Sequence, residues 1–447
     1  MIQTAPTPLL ILADNISGTS GLARTGRELA LQIHRYLPQH FRVGAYGVGG
    51  AISTSARFPF PNYAVRQLDR MIPLDLPEVW LDFAGMVGDG RQADSAEDIA
   101  TRSGQPRHGI LLAIWNTSWL SWLGRPDLYL PAEHPLRKFL LSRPFERWAY
   151  PPIDGHLTDG TLGWQMSPIL AGMDRLVACT EHGARAIERT LRVWGRDGQG
   201  QDCAQFSGLC IPSIPHGLGP GDASGPAVFL PRDRAFARQT FLSRMTNGQH
   251  SLPIAPDQLL LATCNTNSQR KDWGLAFQTA AELLRRGHNV YLWGHTDRLG
   301  SPGGYWNLPA LARQYGMERR VLLTTDRLTD EDLAWGYSAA DCGLHIGSGE
   351  GYGYFGPTAV ACGLPVVHGR YAGGAEFVPE CSLVDPVAYT LESQFFIQRP
   401  LFRPEDWADK VEWLVKPENR LKAIVPPQSL DWGALWPRWE SWLLEGL

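Results

Sequence analysis

The segment Gly349-Glu350-Gly351-Tyr352-Gly353-Tyr354-Phe355-Gly356-Pro357 places four glycines and one carboxylate ahead of a short apolar run that ends at Gly363. Glycine lets the chain turn sharply and leaves backbone amides unshielded. Pro357 fits the first position of a helix, and Gly363 fits the position just past its end. Amides delivered to a helix start attract phosphate. The segment therefore reads either as an anion-binding loop or as an ordinary glycine-rich strand-to-helix turn. Arg270-Lys271 precedes a second helical stretch. Cations at a helix start oppose its dipole, a placement that costs something without an anion. The pair reads as phosphate-binding, against the alternative of a solvated helix start. Arg24 follows a first glycine-containing loop, Ser20-Gly21, and either faces a phosphate or pairs with Glu28 one turn on. Asp330-Glu331-Asp332 spells a metal-binding pattern, yet after Thr329 it reads as an acidic first helical turn. The sequence lacks Gly-x-Ser-x-Gly and His-Glu-x-x-His, which speaks against hydrolase chemistry.

These residues need a frame. Leu9 to Ala13 is a short apolar run without alternation, the pattern of a buried parallel strand. A Gly/Ser/Asn-rich loop follows, then a helix with Leu22, Leu29, Ile33 and Leu37 on one face. Gly109–Trp115 and Arg175–Cys179 are further strands, and Thr180 is placed to cap the next helix. Residues 211–226 are dense in Pro and Gly and read as a domain boundary. The pattern then restarts with strands at 258–263, 289–294, 321–324, 342–346 and 365–368 and a helix over 275–286. The expected fold is α/β, two Rossmann-like doubly wound domains facing across a cleft. The expected division is 1–225, 226–425, and a C-terminal helix over 426–447 packing back towards the N-terminal domain. That tail carries Trp432, Trp436, Trp439 and Trp442 but only one basic residue, Arg438, so packing is favoured over lying on a membrane surface.

Length and charge agree with this frame. The chain has 447 residues, too many for one ordinary core, and a formal net charge of −4. A protein gripping nucleic acid through phosphates would show a basic excess, so nucleic acid enters only as a conceivable acceptor. The seven cysteines include no Cys-x-x-Cys, which argues against a disulfide framework and a zinc knuckle. No signal core or membrane span is legible, and a reducing, cytoplasmic location is expected.

The segment 349–363 resembles the nucleotide-sugar site of the retaining family 4 glycosyltransferases, which have the GT-B fold. Their motif has a Glu, then Gly-aromatic-Gly, then a second Glu. Val360-Ala361-Cys362-Gly363-Leu364-Pro365-Val366-Val367 is similar to its ending, and Gly373-Gly374-Ala375-Glu376 to the segment that follows. Leu328–Leu333 and Ser338–Asp341 sit at the usual positions before the motif. Ile214-Pro215-His216-Gly217 resembles the family's linker, which makes His216 a hinge or cleft residue, and Ser20–Arg24 its first glycine-rich loop. The resemblance is specific over about 258–380 and only topological over 45–210. Asp82–Gly85 and Tyr150–Asp154 resemble glycosyltransferase-like proteins of phage and metagenomic sequence.

The resemblance implies a hexosyltransferase that uses a UDP-, GDP- or ADP-sugar as co-substrate, with no cofactor and no metal. It places Glu350 on the donor sugar, and Lys271 with Arg270 on the phosphates. The backbone of Gly353, Tyr354, Phe355 and Gly356 faces the diphosphate or sugar, with Gly21 and Arg24 on the donor side of the first loop. Thr358 stands in the slot of the second Glu, which holds ribose, and Thr266 in the slot of an Arg. Both departures weaken the expected donor grip. Asn116, Asp154 and His156 are acceptor-side candidates, the last two also readable as a surface turn. The alternatives are a nucleotide-binding protein without turnover and a phage-type enzyme acting on modified DNA bases.

Overall fold

The computed structural model describes residues 5–49, 58–85, 109–195, 208–218, 228–245, 254–255, 257–300, 305–392, 397–424 and 430–447. Half of the expected boundary stretch, 219–226, and Cys203 lie outside them. The chain divides into two compact units. Unit 1 comprises Met1–Gly217, Gly221–Ser224 and Leu435–Leu447, and unit 2 comprises Leu218–Pro220 and Gly225–Ala434.

Unit 1 is built on a six-stranded parallel sheet: β1 (Thr7–Asp14), β2 (Phe41–Val48), β3 (Asn62–Ala64), β4 (Gly109–Ala113), β5 (Phe145–Ala149) and β6 (Arg175–Leu176). Their order is β3-β2-β1-β4-β5-β6. Leu9 to Ala13 are fully buried, as a strand covered on both faces must be. The strand expected over Arg175–Cys179 is shorter. It stops at Leu176, and Ala178 instead forms an isolated bridge to Ser213. Helix α1 (Gly21–Tyr36) is capped by Ser20, whose Oγ accepts from the Ala23 amide at 3.0 Å and donates to Asp14 Oδ2 at 2.5 Å. Thr180 caps α2 (Glu181–Trp194) in the same way through the Gly183 amide at 3.1 Å.

Unit 2 repeats the design with β7 (Leu259–Cys264), β8 (Val290–His295), β9 (Val321–Thr324), β10 (Cys342–His345), β11 (Val366–Gly369) and β12 (Leu383–Val384). The order is β9-β8-β7-β10-β11-β12. Along β7, Leu260 and Ala262 join one hydrophobic cluster while Leu261 joins another. The alternation shows a sheet buried on both faces. Helix α3 (Trp273–Arg285) begins after Asp272, whose carboxylate accepts from the Leu275 amide at 3.1 Å. Helix α4 (Asp330–Ala339) carries a capping box between Thr329 and Asp332. Helix α5 (Phe355–Ala361) starts two residues earlier than expected, which puts Pro357 in its third position. That site tolerates proline because first-turn amides have no intrahelical partner. Its end matches expectation. Gly363 has φ +75°, and the Gly363 and Leu364 amides donate to Val360 O at 2.9 Å and Ala359 O at 3.0 Å, a Schellman motif.

An antiparallel hairpin, β13 (Ala388–Glu392) and β14 (Ile397–Leu401), was not legible in the sequence. Helix α6 (Trp432–Leu444) crosses the unit division. Within unit 1, its Trp439 indole donates to Pro215 O at 3.2 Å, and Trp442 stacks edge-on with Trp148 at 5.0 Å. All four tail tryptophans are buried and unavailable to a membrane. No helix among the described residues is long and apolar enough to cross one.

Candidate functional site

In a sheet of this order the strands turn back between the first and fourth, and loops leaving their carboxyl ends flank a crevice suited to ligands. In unit 2 those strands are β7 and β10. The loop after β7 carries Arg270 and Lys271, and the loop after β10 carries Glu350 and the glycines. The two loops are zipped together. Lys271 forms an antiparallel bridge with Gly347, and the Asp272 amide donates to Ile346 O at 3.1 Å. Ser348 donates to Arg270 O through both its amide and its hydroxyl, each at 2.9 Å.

Lys271 Nζ pairs directly with Glu350 Oε1, and Arg270 Nη1 lies 3.2 Å from Glu350 Oε2 and 2.8 Å from Gly349 O. Glu350 is 4% exposed and Lys271 7%. The alternative of a solvated helix start does not fit Lys271. The pair precedes the cap of α3, and Lys271 is buried against a carboxylate. Burial alone would raise the Glu350 pKa, but the charges of Lys271 and Arg270 outweigh it and hold the group well below the usual carboxylate range.

The glycines are shaped by what lies beneath them. Gly349 has φ +145° and Gly353 φ +74°. A Cβ on Gly353 would stand 2.5 Å from His345 Cε1, and one on Gly356 2.9 Å from His345 Nδ1. A Cβ on Gly374 would meet His368 Nε2 at 2.8 Å and Glu350 Cβ at 3.0 Å, and the Gly374 amide donates to Glu350 O at 3.0 Å. His345 and His368 stack edge-on with centroids 4.4 Å apart. Burial pushes both imidazoles down, so both are neutral at neutral pH. Neither histidine was singled out in the sequence. The available signal was a polar residue closing two otherwise apolar strands, at His345 and His368.

Thr358 is buried, and its hydroxyl donates back to Tyr354 O at 2.5 Å, with Phe355 O at 3.2 Å. It also bonds to Tyr337. The Phe355 ring packs against Tyr337 and His345. Thr266 is exposed. Arg399 of the hairpin reaches Ser348 O at 3.3 Å and pairs with Glu392 at 2.7 Å, bracing the glycine loop from a side the sequence did not reveal. The Asp330–Asp332 carboxylates are in use as the acidic first turn. Glu331 pairs with Arg232, and Asp332 with Arg244 and Thr329. Among the described residues no three His, Cys, Asp or Glu side chains form a metal-binding group.

The remaining candidates belong to unit 1. There the switch-point loops follow β1 and β4; the first ends at Ser20, so that Gly21 to Arg24 form the first turn of α1, and the second carries Asn116. Gly21 opens α1. Arg24 Nε lies 2.8 Å from Glu28 Oε1, the intrahelical alternative of the two readings. Burial raises the pKa of Asp14, against the hydrogen bond that Ser20 donates. Asn116 precedes a 3-10 turn, Thr117–Leu120, without a side-chain cap bond. Asp154 and His156 lie in the loop after β5, where His156 stands 5.1 Å from the His182 ring. His216 is buried with its Nδ1 2.8 Å from the Tyr150 hydroxyl.

No family model matches the chain, and no curated protein matches it significantly. Solved structures do. Sucrose-phosphate synthase from Thermosynechococcus elongatus superposes with a TM-score of 0.61 at 14% identity over 98% of each chain. A UDP-forming α,α-trehalose-phosphate synthase from Burkholderia xenovorans gives 0.59 at 11% identity over 98% of this chain and 100% of that one. The lipopolysaccharide outer core galactosyltransferase WaaB gives 0.56 at 10% identity over 98% and 100%. These likenesses establish the fold: two Rossmann-like domains of the GT-B type.

Proposed function

We propose that this protein is a glycosyltransferase that moves a hexose from a nucleotide diphosphate sugar to an acceptor hydroxyl with retention at the anomeric carbon. The observation that carries the reading is the cluster of the buried Lys271–Glu350 pair with the partly exposed Arg270 at the switch point of unit 2, set against a glycine loop packed closely over His345. Two cations beside a glycine-rich helix start suit a diphosphate. A carboxylate between them suits sugar hydroxyls. In the reaction the bond from the anomeric carbon to the diphosphate breaks, and the acceptor oxygen bonds to that carbon on the same face. The acceptor proton passes to the departing phosphate. Lys271, Arg270 and the amides near Gly353 to Gly356 stabilise the charge that builds on the leaving group. No metal enters this scheme. Acceptor recognition is assigned to unit 1 through Asn116, Asp154 and His156, with Gly21 and Arg24 on the donor side.

A second reading, donor binding without turnover, draws on Thr266 and Thr358. Thr266 offers no charge, and the proton of the Thr358 hydroxyl is committed to Tyr354 O, so it meets a ribose only as an acceptor. The test is melting with UDP-, GDP- and ADP-sugars, followed by transfer from the donor that stabilises, to a panel of sugars and modified DNA. Stabilisation with transfer supports the enzyme. Stabilisation without transfer supports the second reading. No shift with any donor overturns both.

A further inference from the structure

Unit 1 presents an aromatic surface that nothing above uses. Trp164 is 64% exposed and Tyr129 41% exposed. The Tyr129 hydroxyl reaches Gln165 O at 3.4 Å, on the backbone next to Trp164, which brings the two exposed residues into one neighbourhood. Both arise from connections that leave the carboxyl edge of the unit 1 sheet. Tyr129 ends the single-turn helix Pro126–Tyr129 after β4, and Trp164 lies in the loop after β5 that also carries Asp154 and His156.

The exposure of Trp164 is built in, because its loop is tied down. Leu157 and Thr161 pair at 2.8 Å, and Asp159 Oδ1 accepts from the Thr161 amide at 2.9 Å. The Leu162 amide donates to Thr190 Oγ1 of α2 at 2.8 Å, and Arg189 of the same helix bonds Asp159 O. A large ring held in water on a fixed loop forgoes the gain of burial, and such surfaces mark binding sites. The polar groups beside it say what kind. Arg125 is neutralised by Asp127 through two parallel bonds at 2.9 and 2.7 Å. The pair therefore offers planar donors and acceptors with no net charge of its own, which suits an uncharged polyhydroxyl ligand better than an anionic headgroup. Flat aromatic faces match the C–H face of a pyranose ring.

We propose that Trp164 and Tyr129 form a platform that seats a pyranose ring of an uncharged, extended saccharide acceptor. The proposal rests on the sugar-transfer reading for its occupant. The test immobilises neutral gluco-, galacto- and manno-oligosaccharides and measures binding of the full chain without donor. The wild type binds at least one. Trp164→Ala and Tyr129→Ala each weaken that binding about tenfold, while Trp164→Tyr keeps most of it, which a merely structural role would not produce. The proposal falls if no oligosaccharide binds, or if Trp164→Ala binds as the wild type does. Melting with the nucleotide sugars is run alongside. If donors fail to stabilise the wild type while saccharide binding depends on Trp164, the transfer reading is lost and the platform stands.

Discussion

Lys271 and Glu350, 79 residues apart in the chain, form a buried ion pair that joins the loops after the first and fourth strands of the unit 2 sheet. Each member leans on the other. Lys271 keeps the Glu350 carboxylate ionised, and Glu350 keeps a buried ammonium from standing unpaired. A bound diphosphate would give Lys271 a second anion while sugar hydroxyls donate to Glu350.

Lys271→Ala is expected to weaken donor binding and transfer by about 10- to 100-fold, the range for losing a charged hydrogen bond. It also leaves Glu350 with Arg270 as its only cation in this cluster, so the melting temperature falls. Lys271→Met combined with Glu350→Gln restores much of the stability, because a neutral pair carries a smaller desolvation cost than an ion left unpaired, but not the activity. Undiminished transfer by Lys271→Ala would show that the phosphate assignment is wrong.

Stability should respond to acid in two windows. Burial lowers the pKa of His216 to about 3, with the Arg24 charge adding to it, from an unfolded value of 6.5. The unfolded chain takes up that proton first, so stability starts to fall below pH 6.5 and goes on falling down to the folded value. The folded pKa of Glu350 is depressed below 4.5. Its contribution is complete above 4.5 and is lost as pH drops through the folded value. Melting temperature against pH should therefore flatten in the first window for His216→Asn and in the second for Glu350→Gln. Curves parallel to the wild type in both windows would refute these assignments.

Gly353→Ala should damage the donor loop. Its φ of +74° and the nearness of His345 penalise a Cβ twice, with strain of about 1–3 kcal/mol. Gly287→Ala is the control, since Gly287 has φ +92° but no atom within 4 Å of its Cβ position. Both variants lose stability, and only Gly353→Ala loses donor affinity. Equal donor affinity in the two would deny the loop its role.

Thr358→Val keeps the shape of the side chain and removes its hydroxyl. Because that hydroxyl donates to Tyr354 O, donor affinity should change by less than about threefold, on the scale of one neutral hydrogen bond. Titration calorimetry with the stabilising nucleotide sugar measures it. A tenfold loss would mean that the hydroxyl turns to the ribose when donor binds.

The periodic parts of the fold were legible because apolar runs and caps are local: Leu9–Ala13, Thr180, the acidic turn after Thr329 and Gly363 all behave as their types dictate. The start of α5 was misjudged because Pro357 also fits an interior first-turn position. Arg270, Lys271 and Glu350 were singled out by residue type and resemblance, but their pairing was not foreseen, since nothing local links positions 79 apart. His345, His368 and Arg399 escaped notice for the same reason. Their meaning comes from the glycines and carbonyls they touch, and those contacts exist only once the sheet has formed.

Helix α6 gives the order of synthesis a structural meaning. The buried Trp439 and Trp442 complete the core of unit 1 against Pro215 and Trp148, yet they are translated after every residue of unit 2. The half of the protein made first is thus the half finished last, and it spends the making of unit 2 with part of its interior uncovered.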